Sequence, residues 1–501
     1  MNTSTSLKSS SAAAAASRLS LVPAMSVASS DAMDTELGAM PFGSPRLPKC
    51  DARDGTTTTR PLAETGNALR LFDAHGDKLK YVPEAQRWLT WDGAAWSWDD
   101  GAGVRMLAAK LPGAIYAEGA AHLDDSKHFA EWARKSRNKR TIDNSVALLS
   151  DFPQIRLPLA SVDANPLVVA FAQARQVLDL QSGDVRAATK PDYATKSLNV
   201  EVIGEADKAT RWVAFLEQVF EGDEALIEWM QRFCGYLLTG STQEHIFLFC
   251  YGSGANGKSV FIDVLRHILG DYGRAIASET LSETKRHAGG ATPDLADLIG
   301  ARLVCSTETE DGTALAESLV KSLVSGDAMS VRKLYSQPVQ FTPCFKLVMA
   351  GNHKPIVRGT DYGIWRRVRL VPFNRKFSEA ERDPRLSDKL KAEAPHILAW
   401  MLAGCIAWQR RGLADIPEAV RQATADYQDD QDLVGRWIDA RATPSAACET
   451  AADELYLSYT GWCFDNGLKP MSSIALGRQL GSRGYRRRKS SGRVFWAGVG
   501  L

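Results

Sequence analysis

The chain has 501 residues, of which 45% are hydrophobic, enough for about three domains with apolar cores. Its 60 basic and 59 acidic residues nearly cancel, so any nucleic-acid partner must be bound by local patches. No apolar run approaches the roughly 18 residues of a membrane span, and no C-x-x-C pair indicates a zinc knuckle or a redox dithiol. Cys250 and Cys305 lie in apolar strands and are typical of buried thiols in a reducing cytoplasm, the expected location.

Residues 1–66 are rich in Ser, Ala and Thr and poor in aromatic side chains, a composition that cannot bury enough surface to fold. We expect a disordered segment or an over-long start of translation. A targeting peptide, suggested by Lys8 and Arg18 among small residues, is the alternative. An N-terminal α+β domain is predicted over residues 67–205.

Two β-hairpins are predicted in this domain. Residues 81–98 alternate aromatic side chains around Asp92-Gly93, a two-residue turn signal, and residues 177–185 flank a turn at 181–184. The tryptophans of the first hairpin either form its core, which we favour, or stack on bases: Trp88, Trp91, Trp96 and Trp98. A helix-like stretch between the hairpins presents either a solvated face or a DNA contact through Arg134, Lys135, Arg137, Lys139 and Arg140.

Residues 252–259 read GSGANGKS, the G-x-x-x-x-G-K-[ST] pattern of a phosphate-binding loop. The apolar run 246–251 predicts a buried parallel strand before it, and apolar residues at helical spacing predict a helix after it. Backbone N–H groups and the positive helix end would bind phosphate at Gly252, Ser253, Gly254, Ala255, Asn256, Gly257, Lys258 and Ser259. Lys258 is expected to reach the β/γ-phosphates, and Ser259 to ligate Mg²⁺. The sequence thus predicts a nucleoside-triphosphate site.

Polar residues follow two further apolar strands. Glu308 and then Glu310, after the strand 301–306, are the first and second candidates for an acid that holds Mg²⁺ and polarises the attacking water. Asn352, after the strand 346–350, can orient that water. Arg366 and Arg367 are candidates for an arginine that acts on the γ-phosphate of a neighbouring subunit.

Between those strands, Arg332 and Lys333 precede a strand pair predicted to end at Phe341. Basic residues on such a hairpin can grip a DNA backbone. The ATPase core, with a helical segment at 211–238 before the phosphate loop, is predicted over 206–377, and a helical lid over 378–447. The expected packing positions of the lid are Leu390, Ile397, Leu398, Trp400, Met401 and Leu402.

Residues 448–501 predict a small basic module. A helix over 453–466, a helix over 471–483 with Ile474, Leu476 and Leu480 inward, and a hairpin over 485–496 are typical of a winged helix. Its basic side chains either solubilise the module or, as we favour, bind DNA. The candidates are Arg478, Arg483, Arg486, Arg487, Arg488 and Lys489.

Five segments in order resemble a superfamily III helicase: GSGANGKS, a strand ending STETE, KSLVSGD…VRKLY, a strand ending GN, and IWRRVRLVPF. More narrowly, the chain is similar to the C-terminal half of phage and plasmid primase-helicases, the family shared with the poxvirus replication NTPase. The resemblance implies an α/β fold with an AAA+-like P-loop NTPase core, an N-terminal α+β domain, a helical lid and a C-terminal winged helix.

The resemblance also implies roles. Lys258 and Ser259 would bind ATP and Mg²⁺, Glu308 would be the catalytic acid, and Asn352 the polar sensor. Arg366 or Arg367 would act in trans within a hexamer that moves 3′ to 5′ along single-stranded or forked DNA. Lys321, Arg332 and Lys333 fall in the family's motif that enters a DNA-contacting hairpin. Thr307 stands where many relatives place an acid, so the roles of Glu308 and Glu310 stay open.

Two other classes of function remain. One is an initiator or regulator whose basic C-terminal module recognises an origin, and the other is a packaging or remodelling ATPase that does not separate strands. The KSLVSGD…VRKLY segment favours the helicase over both. Because no zinc-finger cysteines or paired-acid motif stand upstream of residue 200, we expect any priming to come from a separate primase, alongside an origin-binding partner.

Overall fold

The computed structural model describes residues 59–171, 175–283, 292–307, 312–332, 337–359, 362–490 and 492–501. Most of the segment 1–66, predicted to be disordered, lies outside these ranges. The first helix begins at Glu64.

The N-terminal part combines helices with two small antiparallel sheets, ordered β1-β2-β3 and β4-β5-β6. The first sheet and the helices share a core that includes Leu71, Trp88 and Leu149. Val169 and Leu178 of the second sheet instead join the core of the following domain. The elements are α1 Glu64–His75, β1 Leu79–Val82, β2 Arg87–Trp91, β3 Trp96–Asp99, α2 Ala102–Ala108, α3 Leu111–Ala120, α4 Ser126–Lys135, α5 Lys139–Ser150, β4 Val168–Ala170, β5 Gln176–Asp179 and β6 Val185–Ala187.

Both predicted hairpins are present, as β2–β3 and β5–β6. The first turn is longer than predicted, because Trp91 pairs with Trp96 and leaves a four-residue connection. The Asp92 carboxylate accepts the backbone N–H groups of residues 94 and 95, both at 2.8 Å, and so closes the wider turn. Trp88 and Trp96 are 4% and 3% exposed, which confirms the core interpretation for these two side chains.

A five-stranded parallel sheet follows, in the order β13-β7-β12-β9-β8. The helical segment predicted at 211–238 is two helices, interrupted where Gly222 adopts a φ of 78°. The elements are α6 Thr210–Val219, α7 Glu224–Leu237, β7 Phe247–Tyr251, α8 Lys258–Leu269, β8 Gly273–Ala275, α9 Pro293–Ala296, β9 Leu303–Thr307, α10 Glu317–Ser325, β10 Met329–Val331, β11 Val339–Phe341, β12 Lys346–Gly351, α11 Tyr362–Trp365 and β13 Val368–Pro372.

Four helices come next: α12 Leu386–Lys391, α13 Ala394–Arg411, α14 Glu418–Gln431 and α15 Leu433–Arg441. All six packing positions predicted here are buried. Helix α13 lies directly on α7, where a Cβ on Gly404 would be 2.1 Å from the Gln231 carbonyl oxygen. Only glycine permits that approach, so the pair is fixed by backbone contact. That these helices form a lid stays a prediction.

The central sheet is covered on both faces, which explains why its strands are continuous apolar runs. Leu248 and Cys250 of β7 face one core, shared with α6, α7, α8 and α13. Phe247 and Phe249 face the other, shared with α10 and α14. Cys250 and Cys305 are buried thiols as predicted, and burial raises the pKa of Cys250 to about 12. The mixed α/β class with a parallel sheet is thus confirmed.

Two buried cations stand at the amino ends of β9 and β12. Arg302, 3% exposed, donates to the carbonyls of Leu238, Val168 (2.6 Å) and Asn165 (3.1 Å). Lys346, 2% exposed, donates to the Thr239 carbonyl. Both cations thereby reach the carboxyl end of α7, whose carbonyls carry partial negative charge. Burial lowers the pKa of Lys346 well below its ordinary value of 10.5.

The C-terminal module has its own core, which includes Trp437, Tyr459 and Trp496. Its sheet is antiparallel, ordered β14-β16-β15. Helix α15 and strand β14 belong to this module although both begin before residue 448, the predicted boundary, and β14 was not predicted. The elements after α15 are β14 Thr443–Ala451, α16 Ala452–Asp465, α17 Ser473–Ser482, β15 Arg486–Ser490 and β16 Arg493–Gly500.

The predicted helices and hairpin of this module are present, but one inward position is wrong. Leu476 and Leu480 are buried, whereas Ile474 is 69% exposed. Ile474 is the second residue of α17, after the Ser472 cap, so its first-turn side chain projects beyond the core. The winged-helix assignment stays a prediction.

Candidate functional site

Three segments predicted to carry chemistry meet at the carboxyl edge of the central sheet. In the parallel register, Gly351 of β12 stands beside Tyr251 of β7, and Ala350 stands beside Thr307 of β9. The loop after Tyr251, the residues after Thr307 and Asn352 therefore start from the same edge. Ligands of open parallel sheets bind at this edge.

The glycine loop between β7 and α8 has the backbone that its sequence predicts. Gly254 and Gly257 adopt φ values of 96° and 86°, a region that favours glycine. A Cβ on Gly254 would meet nothing within 4 Å, so the loop is open there. A Cβ on Gly252 would instead lie 2.4 Å from the Phe373 carbonyl oxygen. The loop is closely packed on one side and open on the other, where an anion can approach the start of α8.

Lys258 is the first residue of α8 and is 6% exposed. Its ammonium donates to the Gly252 carbonyl at 2.6 Å, to Asn256 Oδ1 at 3.0 Å and to Asn352 Oδ1 at 3.1 Å. Burial lowers the pKa of Lys258, and these three oxygens are neutral, so they orient the ammonium without cancelling its charge. A phosphate would supply the opposite charge.

Asn256 has a role that its place in a glycine loop did not reveal. Its side chain, 4% exposed, accepts from Lys258 and donates to the Phe373 carbonyl at 3.2 Å. The Phe377 N–H also donates to the Ala255 carbonyl at 2.9 Å. The segment after β13 is thus hydrogen-bonded to the glycine loop at Asn256 and Ala255. The only sequence feature that pointed to this role of Asn256 was the presence of an amide side chain among the small residues of the loop.

The predicted metal ligands are only partly described. Ser259 is exposed on the first turn of α8, next to Lys258, where its hydroxyl can reach a cation beside a phosphate. Glu308 and Glu310 lie outside the described residues. Their strand, β9, ends at Thr307, on the edge that carries the glycine loop.

The two candidate arginines differ sharply in environment. Arg367 is half-buried and donates to the Gly363 carbonyl at 2.5 Å and to Ser325 Oγ at 2.7 Å. Arg366 is exposed. The Arg367 guanidinium therefore stabilises the fold, whereas the exposed side chain of Arg366 is available to contact another molecule.

The β10–β11 hairpin pairs Val331 with Val339. Arg332 was predicted to precede the strand pair, but it follows β10 and so lies in the connection between the two strands. The pair does end at Phe341, as predicted. The Arg332 side chain is exposed, and its backbone N–H donates to Thr292 Oγ1 at 3.1 Å. Lys333 lies outside the described residues. Lys321 lies 3.8 Å from Glu317 on α10, in a helical ion pair.

The basic residues of the C-terminal module divide into two sets. Arg478 and the four consecutive side chains Arg486, Arg487, Arg488 and Lys489 are exposed, although Arg488 also lies 3.3 Å from Glu449 in an ion pair. Arg483 instead forms an ion pair with Asp432, the cap of α15, so this candidate DNA contact is built into the module. The predicted basic stretch at 134–140 is exposed at the junction of α4 and α5.

Two family models match parts of the chain. Residues 68–221 match the family described as D5 N terminal like, and residues 250–367 match a family of unknown function, DUF5906. The "Putative helicase L207/L206" of Acanthamoeba polyphaga mimivirus is 28% identical over 304 residues, 56% of this chain and 31% of the relative. The resemblance to viral primase-helicases is confirmed.

Further relatives have similar names. The "Putative helicase 022R" of Frog virus 3 is 28% identical over 276 residues, 51% of this chain and 28% of that protein. The "Putative primase C962R" of African swine fever virus (strain Badajoz 1971 Vero-adapted) is 23% identical over 272 residues, 50% of this chain and 28% of that protein. The chain spans about a third of the length of these relatives.

Among solved structures, the apo NrS-1 C terminal region is similar at 10% identity and a TM-score of 0.48, over 87% of this chain and 99% of that one.

Among the residues that the structure describes, every helix is too short or too polar to span a bilayer.

Proposed function

We propose that the chain is an ATP-dependent DNA helicase of superfamily III that acts in phage, prophage or plasmid replication. The carrying observation is the contact between the Lys258 ammonium and Asn352 Oδ1, beside a glycine loop that opens a helix. It brings the phosphate-binding cation and the proposed sensor together from two neighbouring strands. Relatives named helicase and primase support the same activity.

In this proposal ATP binds over the glycine loop with its γ-phosphate between Lys258 and Asn352. Mg²⁺ would neutralise charge on the phosphates, and the Ser259 hydroxyl and Glu308 are the side chains proposed to hold it. Asn352 orients the attacking water, and Glu308 or Glu310 polarises it. Arg366 reaches the γ-phosphate of the adjacent subunit in a hexamer.

Unwinding of forked duplexes with 3′ or 5′ single-stranded tails tests this function. With ATP and Mg²⁺ the wild-type chain should separate strands of the 3′-tailed fork, and Lys258→Ala should not. Undiminished ATP turnover by Lys258→Ala would remove the phosphate-loop assignment. DNA-stimulated hydrolysis without unwinding would instead favour a remodelling ATPase.

A second candidate function is an ATP-regulated origin-binding initiator. The observation that favours it is the run of exposed cations at residues 486–489 in a module with a core of its own. Sequence-selective, ATP-independent DNA binding that depends on this run would support the initiator. Binding without sequence preference would support the helicase.

A further inference from the structure

A groove of about 1360 Å³ lies at the amino edge of the central sheet, opposite the glycine loop. One wall comes from the first N-terminal sheet, through Arg87 and Trp98, and from the segment after the second sheet, through Lys196. The other comes from the sheet and the base of the β10–β11 hairpin, through Arg274 and Phe341. The groove therefore joins the N-terminal region to the predicted DNA-contacting hairpin.

The lining of the groove holds more cations than acids. Arg266 and Arg274 are exposed. A Cβ on Gly273 would lie 3.3 Å from the Arg266 Cα, so the backbone segments that carry the two arginines are adjacent. Among the acids, Asp163 accepts from the Thr195 N–H and hydroxyl, both at 2.7 Å, and Glu84 accepts from the Leu159 N–H at 3.3 Å. Asp297 is the third acid of the lining. Against these three acids the lining holds five cations, Arg87, Lys196, Arg266, Arg274 and Arg302, so its formal charge is positive.

The groove also offers flat surfaces for bases. Trp98 is partly exposed, and its indole N–H donates to Thr195 Oγ1 at 3.2 Å, which fixes the ring. The Arg87 guanidinium lies 5.2 Å from the centre of the same ring, and Asp100 holds it at 2.5 Å. Indole and guanidinium planes stack on unpaired bases, which a duplex does not expose. The combination with phosphate-binding cations favours a single strand over a duplex.

The groove is connected to the nucleotide loop by one rigid element. Helix α8 starts at Lys258 and carries Arg266 in its last turn, about 12 Å further along the helix axis. The same helix therefore contributes Lys258 to the glycine loop and Arg266 to the groove.

We propose that this groove is a second binding site for single-stranded DNA, continuous with the β10–β11 hairpin. The site rests on the proposed helicase function. It holds the strand through its phosphates at Lys196, Arg266 and Arg274, and through stacking at Trp98.

The test measures binding of a labelled oligothymidylate of about 30 nucleotides to the full chain, with a non-hydrolysable ATP analogue. The double variant Arg266→Glu/Arg274→Glu should lose at least about tenfold in affinity. The matched control Lys127→Glu/Arg410→Glu reverses two cations that are exposed elsewhere and should bind within about twofold of wild type. Equal binding by wild type and groove variant, or an equal loss in both variants, would overturn the proposal.

A milder pair of variants, Arg266→Gln/Arg274→Gln, guards against misfolding. Removing two phosphate contacts should reduce the slope of log affinity against log salt by about 1.4. An unchanged slope at an unchanged melting temperature would overturn the site. Ultraviolet cross-linking of the oligonucleotide should label the peptide that contains Trp98.

An acidic peptide is the competing occupant. If the groove variant lost binding of a labelled oligoglutamate but bound oligothymidylate as wild type does, the groove would be a peptide site and the proposal would be wrong. Because oligonucleotide binding is measured without turnover, failure of this site is distinct from failure of the helicase. The latter would appear as absent ATP hydrolysis by the wild-type chain.

Discussion

The side-chain oxygen of Asn352 accepts a hydrogen bond of 3.1 Å from the Lys258 ammonium. The two residues are 94 positions apart in the sequence and meet because β7 and β12 are adjacent parallel strands. A buried cation and a neutral amide then face the same space. The amide positions the cation but leaves its charge for a phosphate.

We expect Asn352→Ala to lower kcat for ATP by about 10- to 100-fold with a smaller change in KM, because orientation of the water is lost while Lys258 stays. Asn352→Asp should instead raise KM, since a carboxylate at this position would pair with the ammonium and repel phosphate. Steady-state hydrolysis separates the two effects, with His353→Ala, at the exposed neighbouring position, as the control. Equal kinetics for wild type and Asn352→Asp would contradict the proposed site.

Asn256 should determine nucleotide affinity. Asn256→Asp keeps an acceptor for Lys258 but cannot donate to the Phe373 carbonyl, and it adds a negative charge beside the ammonium. We expect affinity for a fluorescent ATP analogue to fall by about tenfold or more in this variant, and by less in Asn256→Ala. The opposite order, with the alanine variant weaker, would mean that charge at this position is unimportant.

Substitutions at the two arginines should affect different properties, stability at Arg367 and catalysis at Arg366. Arg367→Ala removes hydrogen bonds to Gly363 and Ser325, so we expect it to lower the free energy of unfolding by about 1–3 kcal/mol. Arg366→Ala should leave that free energy nearly unchanged and reduce hydrolysis by about a thousandfold. Mixing it with Lys258→Ala subunits should restore some activity, because each supplies what the other lacks. If no mixture recovers activity, the trans role of Arg366 is not supported.

Lys346 predicts a dependence of stability on pH. Its folded pKa lies well below 10.5, so between those two values the unfolded chain binds more protons and wild-type stability rises with pH. Lys346→Met lacks this gain. Relative to wild type, the free energy of unfolding of the variant should therefore decline as the pH rises towards 10.5, as measured by urea unfolding. A difference independent of pH would indicate that the folded chain does not lower the pKa of Lys346.

In the C-terminal module, neutralising Arg486, Arg487, Arg488 and Lys489 to glutamine should weaken DNA binding at low salt and flatten its salt dependence. Arg483→Gln is the matched comparison. It removes the ion pair with Asp432, so it should lower the melting temperature of the chain and change DNA affinity little. If Arg483→Gln lowers DNA affinity more than the glutamine substitutions at 486–489 do, the assignment of β15 as the DNA-binding strand is incorrect.

Sequence patterns predicted the parts of the fold that depend on local chemistry. Apolar runs and glycines predicted β7, the loop and α8, and the position of Asn352 followed from the end of its strand. Strand β14 escaped prediction because TPSAACETA lacks apolar alternation and has only Thr443 and Thr450 as β-branched residues. Arg366 and Arg367 could not be separated, since their difference depends on a partner on α10. The pair of Arg483 with Asp432 joins positions 51 apart, and no periodicity reports such a contact.

The guanidinium of Arg302 limits how this chain can be dissected. Two of its three carbonyl acceptors, on Asn165 and Val168, belong to the segment before residue 206, while the arginine itself belongs to the ATPase sheet. A fragment that began at residue 206 would keep a cation in its interior with most of its hydrogen bonds removed, at a cost of several kcal/mol. The segment that carries Asn165 and Val168 therefore folds with the central sheet, and a fragment meant to retain that sheet should begin before residue 165.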